Sequence, residues 1–157
     1  MIEVKLVRAG IGEAEKLWNM QIIAFQDLYD RYQDTKTSPA TESVDNITVR
    51  FHQPFTYYYF ITAEDITVGV IRVADHHENG VPKKISPIFI LPEYRNRGLA
   101  QRAIQLAEEK HGCSGWELST ILQEKGNCHL YEKMGYYRTG QMEKINEKMT
   151  LVFYKKD

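Results

Sequence analysis

The stretch from Ile85 to Ala100, ISPIFILPEYRNRGLA, limits the fold more than any other part of the chain. It reads as an apolar strand, a turn opened by Pro92, and a helix that starts near Gly98 and places Ala100, Ala103, Ile104 and Ala107 on one face. A strand that runs through a short basic turn into a helix aims several unpaired backbone N–H groups, and the positive end of the helix dipole, at one point in space. A phosphate suits that point. The spacing is not the three-glycine dinucleotide fingerprint, nor the Gly-Lys-Ser/Thr ending of a P-loop.

Elements on either side can be placed around this unit. Ile2 to Val7 alternates as a short strand with Ile2, Val4 and Leu6 on its buried face. Gly12 to Tyr32 repeats Leu17, Trp18, Gln21, Ile22, Phe25, Leu28, Tyr29 and Tyr32 at helical spacing. A polar loop, Asp34 to Ala40, precedes a second helix with a capped start at Thr41–Asp45 that runs to His52. Thr56–Ala63 and Ile66–Ala74 are strands rich in aromatic and β-branched residues, joined by a hairpin turn at Glu64-Asp65. Downstream come a strand over Gly115–Leu122, a helix over Asn127–Met134 ended by a left-handed Gly135, and strands over Tyr136–Ile145 and Lys148–Tyr154. The helix between the Ile85 and Gly115 strands predicts a parallel right-handed crossover. With 157 residues and 43% hydrophobic content, the chain is expected to form a single α/β domain over 1–157 with a mixed sheet.

Two segments carry a family resemblance. Arg95-x-x-Gly98-x-Ala100 resembles the pyrophosphate-binding signature of the GNAT acetyltransferase superfamily, Gln/Arg-x-x-Gly-x-Gly/Ala, which also follows a strand and a Pro-Glu-Tyr-Arg-like turn. Leu130-Tyr131-Glu132-Lys133-Met134-Gly135-Tyr136 is similar to that family's Leu-Tyr-Glu-Lys-x-Gly-Phe segment. The sequence-level match is confined to about residues 85–137, while the element order of the whole chain is similar to the GNAT fold. The resemblance implies a mostly antiparallel sheet with one central, splayed parallel strand pair and flanking helices. It also implies acetyl-CoA as cosubstrate, with its pantetheine arm on the main chain of Ile88, Phe89 and Ile90. Its pyrophosphate would lie on the turn Arg95, Asn96, Arg97, Gly98, Leu99 and Ala100. Splayed strands leave backbone groups unpaired that a peptide-like arm satisfies, and Pro87, which lacks a donor, marks either an irregularity or the start of that strand.

Acetyl transfer to an amine needs a neutral nucleophile, a polarised thioester carbonyl and a proton for the leaving thiolate. By resemblance Tyr131 is the general acid and an N–H near Ile90 the donor to the carbonyl. A phenol of pKa near 10 can donate that proton while staying protonated at neutral pH. The family's strand glutamate and CoA-contacting asparagine fall here on Ser119 and Glu124, so both are missing. Glu117, Glu124, Asp75, His76 and His77 are candidate bases, with a base acting through water or simple deprotonation by solvent preferred, and Asn127, which shares a helix face with Tyr131, is expected to face the cofactor. A non-catalytic CoA-binding or interaction domain is the alternative.

Twenty basic and 21 acidic residues leave a net charge of −1, which disfavours nucleic acid and anionic membranes as partners. Without an export signal or an apolar run near the roughly 20 residues that span a bilayer, the expected location is cytoplasmic. Cys113 and Cys128 are expected to be reduced, and no ligand spacing points to a metal. Asp27, Asp30 and Asp34 would suit a cationic amine acceptor. The apolar strands Thr56–Phe60 and Met149–Tyr154 suggest a sheet edge covered by a second copy, hence a homodimer.

Overall fold

A computed structural model describes residues 2–157. Seven strands run β1 (Val4–Arg8), β2 (Thr56–Ala63), β3 (Ile66–Ala74), β4 (Lys83–Ile90), β5 (Trp116–Ile121), β6 (Tyr137–Asn146) and β7 (Met149–Lys156). The helices are α1 (Ala14–Tyr32), α2 (Val44–Phe51), α3 (Leu99–His111) and α4 (Lys125–Lys133). The sheet order is β1-β2-β3-β4-β5-β7-β6, antiparallel except between β4 and β5. The expected boundaries hold to within a few residues, and short 3₁₀ turns at Pro39–Thr41 and Pro92–Tyr94 occupy stretches read as loop or turn.

Local chemistry explains the joints. Glu64 and Asp65 both have positive φ, 49° and 66°, the two-residue turn whose twist matches a hairpin. Ser43 caps α2 by accepting a hydrogen bond from the Asn46 N–H. Gly135, at φ 96°, ends α4 in the left-handed region that a side chain disfavours.

Strand alternation sends side chains to two cores. On one face Leu17, Met20 and Ala24 of α1 and Ile47 of α2 bury Tyr58, Phe60, Val70 and Phe89. On the other, Ala103, Ile104 and Ala107 of α3 and Cys128 and Tyr131 of α4 cover Ile71, Val73, Ile85, Leu118 and Val152. Ile104, Ile71 and Val73 are fully buried, each contributing about 1.5–3 kcal/mol of transfer free energy.

Two expectations about surfaces change. Strands β2 and β7, whose apolar content suggested an exposed edge, are interior; the edges are β1 and β6. Their aromatics are spent on the two cores, so the residues behind the homodimer expectation do not form an edge. In α1, Ile22, Phe25, Leu28 and Tyr29 are only half-buried, because the helix overhangs a cleft along its last turns. No helix is long and apolar enough to cross a membrane, among the described residues.

Candidate active site

The site exists because β4 and β5 part. They pair only at Lys83↔Trp116 and Lys84↔Glu117, after which the edge of β4 from Ile85 to Ile90 faces open space. The other edge stays bonded to β3 across a bulge: Val73 pairs with Ile85 and Ile71 with Ile88, so β4 carries one extra residue around Ser86-Pro87. Arg72 holds the bulge. Its buried guanidinium donates to the Ser86 carbonyl at 2.9 Å and to Thr56 Oγ1 at 3.0 Å, and burial among neutral acceptors lowers its pKa.

Two cavities open from the split. The larger, about 450 Å³, runs between the end of β4, the turn into α3, α1 and the start of α4. The smaller, about 280 Å³, lies between α1, the Asp34–Pro39 loop, β5 and β7. Both are lined by Phe25, Leu28, Ile88, Asn127 and Tyr131, so these five residues form their junction.

In the turn, Asn96 and Gly98 have φ 64° and 75°. No side chain caps α3. Among the described residues, no acceptor takes the N–H groups of Asn96 to Ala100. Alternating left-handed residues followed by a helix start make an anion-binding concavity. A Cβ built on Gly98 would meet nothing within 4 Å. Backbone conformation is therefore what glycine serves in the protein itself, and the open space above it admits a ligand.

The side chains of the turn's two arginines do not point into this concavity unengaged. Arg95 lines the cleft, but its guanidinium is committed to the Ala24 carbonyl at 2.6 Å, the Ile90 carbonyl at 3.0 Å and Asp27 at 3.0 Å. It is a strut joining α1 to β4. The Arg97 side chain lies outside the cleft, donating to the Glu93 carbonyl over the Tyr94 ring. Leu99 is buried, and Ala100 is half-buried at the cleft wall.

Tyr131 is 7% exposed, with burial first and Cys128 second pushing its pKa up to about 12. No described residue hydrogen-bonds its hydroxyl. Asn127 sits one turn earlier on α4. Glu124, before α4, accepts from Arg31 at 2.6 Å and from the Tyr32 hydroxyl at 2.5 Å; desolvation and then Glu124 raise the Tyr32 pKa. Glu124 is thus an ion-paired tie, and Glu117, Asp75, His76 and His77 line neither cavity. The aspartates considered for an amine are committed too. Asp27 pairs with Arg95, Asp30 accepts from Gln26, and Asp34 takes the Lys36 and Thr37 N–H groups and the Thr37 hydroxyl. Sequence reasoning missed Phe25, Leu28 and Tyr32 as cavity walls. Their signal was a stripe too wide for the core alone. Among the described residues no cluster of three metal-ligating side chains occurs.

Comparisons place this geometry. The model of the acetyltransferase (GNAT) family matches residues 23–136. No curated protein matches the sequence. Spermidine N-acetyltransferase from Vibrio cholerae, in complex with CoA and spermine, superposes with a TM-score of 0.75 at 16% identity, covering 96% of this chain and 93% of that one. Ribosomal-protein-S18-alanine N-acetyltransferase from Escherichia coli gives 0.73 at 9%, with 97% and 92% covered. PaiA N-acetyltransferase from Thermoplasma acidophilum, in complex with coenzyme A, gives 0.71 at 14%, with 99% of each covered. At these identities the likeness is one of fold.

Proposed function

The chain belongs to the acetyltransferase (GNAT) family, and from that premise we propose that it moves the acetyl group of acetyl-CoA to a primary amine by direct attack, with Tyr131 serving the departing thiolate. The observation that carries this is the position of Tyr131 where the two cavities meet. One cavity leads to an anion-binding turn and the other does not. The donor belongs in the first and the acceptor in the second.

The residues present fit acetyl-CoA. The unpaired edge of β4 around Ile88, Phe89 and Ile90 offers main-chain groups to an extended amide-containing arm. The Asn96–Ala100 N–H groups offer a seat for a diphosphate. Acetyl-CoA supplies the acetyl thioester. In the net reaction the amine nitrogen gains the acyl carbon and loses one proton, the carbon–sulfur bond breaks, and the sulfur gains one proton. With Asp34 and Glu124 already engaged, water takes the amine's proton and the neutral fraction attacks.

At the sulfur, a phenol pushed up to about 12 is a weaker acid than a thiol of pKa about 8.5. Tyr131 therefore acts first as a hydrogen-bond donor to developing negative charge. The burial that raises the phenol also raises the thiolate's basicity, narrowing the gap to full transfer. Among the described residues its hydroxyl has no competing partner.

The test is acetyl-CoA binding by thermal shift and calorimetry, followed by turnover of Tyr131→Phe on an accepted amine. A ligand specific to the folded state stabilises it by about 2.7 kcal/mol at a hundred times Kd. The Phe variant keeps the ring and should bind acetyl-CoA as before while kcat falls about a hundredfold. Wild-type turnover in that variant would remove Tyr131 from the chemistry. A second reading, a CoA-binding domain without transferase activity, draws on Ser119 standing where the family has a glutamate; binding without acetylation of any amine would favour it.

A further inference from the structure

We propose that the acceptor is the amino-terminal segment of a polypeptide, laid across the uncovered face of β5 and β7 with its α-amino group at Tyr131. This rests on the transfer reading above and names its substrate.

Helices α1 and α2 cover only part of their face of the sheet, burying side chains of β2, β3 and β4. On the same face, α1 and the Asp34–Pro39 loop stand opposite Ser119 and Leu151, whereas no helix residue, among the described residues, lines the groove at Glu117, Phe153 and Lys155. Three strands each contribute two residues to this strip, one to the smaller cavity and one, two positions along, to a groove of about 230 Å³. The pairs are Ser86 and Lys84, Ser119 and Glu117, and Leu151 and Phe153. Two residues of strand are about 7 Å, which is also two residues of an extended ligand. Cavity and groove are therefore consecutive stations for a peptide.

The chemistry of the stations selects the ligand. The register Lys84↔Glu117 and Glu117↔Lys155 sets three charged side chains in one row across the strip. None of them has a salt-bridge partner among the described residues. Such a row supplies donors and an acceptor to passing peptide groups, and its outer cations favour an acidic residue. The same cations repel a polyamine, whose second ammonium would also find Asp34, the carboxylate of the smaller cavity, with both oxygens engaged. Half-buried Phe153 gives the groove an apolar seat.

The experiment compares kcat/KM for four acceptors: alanine amide, a tetrapeptide amide of two alanines followed by two aspartates, its counterpart ending in two lysines, and spermidine. The acidic tetrapeptide should exceed the other three by at least about tenfold. In the double variant Lys84→Glu, Lys155→Glu, the preference between the two tetrapeptides, each taken relative to alanine amide, should reverse. Equal values for alanine amide and the acidic tetrapeptide, spermidine as the best acceptor, or a preference that survives the double substitution would overturn the proposal. So would acetyl-CoA binding with no acetylation of any of the four. An absent acetyl-CoA thermal shift would instead overturn the transfer reading beneath it.

Discussion

Strand β4 has two edges with opposite fates. Toward β3 it is paired from Ala74↔Lys84 to Gly69↔Ile90, interrupted only by the Arg72-held bulge. Toward β5 it is paired at two residues and then released. The same backbone thus serves stability on one side and, in the function proposed above, ligand binding on the other. The closed seam lies between buried Val70, Ile71, Val73, Phe89 and Ile90, where an unpaired peptide group would cost about 1–3 kcal/mol. The open seam faces cavities in which water or a ligand can satisfy those groups. A splay is tolerable only where the strand's neighbour is a site.

The largest test of this contrast is at the closed seam. Gly69 lies so near β4 that an added Cβ would overlap the Phe89 carbonyl oxygen and stand 3.1 Å from the Ile90 Cα. Gly69→Ala should cost about 3 kcal/mol, since neither backbone can yield without breaking the pairing. Urea denaturation measures it. A loss below about 1 kcal/mol would mean that the seam is softer than its geometry.

The companion change at the open seam should do the reverse. Gly98→Asp puts a carboxylate into open space at φ 75°, a conformation aspartate tolerates better than most residues, at a cost of about 1 kcal/mol. Beside a diphosphate, like charges about 5 Å apart repel by about 3 kcal/mol near a protein surface. Acetyl-CoA affinity should fall at least about tenfold with the fold intact, read by calorimetry alongside the melting temperature. Unchanged affinity would move the phosphate seat away from this turn.

Legibility in the sequence followed the range of the interactions. The strand, turn and helix around Gly98 were readable because each is set by neighbours in sequence: apolar alternation, a positive-φ glycine, a helical apolar face. Tyr131 stands out in sequence through its flanking segment, but its place between two cavities does not, since that depends on how far β4 and β5 diverge. The partners of Arg95 were hidden for a related reason. Asp27 and Ala24 lie 68 and 71 positions away, and local context showed only a cation in a turn that suits a phosphate. The sheet edges were misassigned because hydrophobic content reports burial, not strand order, and a β5-β7-β6 order places β7 inside.

The smallest expected effect concerns titration, where the two regions differ again. Tyr131 on the open side stays neutral at any ordinary pH, whereas the closed side holds a chain of Asp75, His111 and Tyr59. His111 Nδ1 lies 2.8 Å from Asp75 and Nε2 2.8 Å from the Tyr59 hydroxyl. A neutral ring with its proton on Nδ1 satisfies both, donating to the carboxylate and accepting from the phenol. Burial lowers the His111 pKa and outweighs the opposing pull of Asp75. The unfolded chain then takes up the proton first as pH falls below about 6.5, so this site's contribution is fully present above that value and is lost as pH drops through the folded pKa. Asp75, which burial alone would raise, is held low by the His111 and His77 hydrogen bonds, so its contribution fades only at more acid pH. Denaturation between pH 7 and 5 therefore isolates the histidine. His111→Gln should start about 1 kcal/mol less stable at pH 7 and show a shallower decline across that window. If the variant declines as steeply as the parent chain, His111 is not what makes the closed side acid-sensitive.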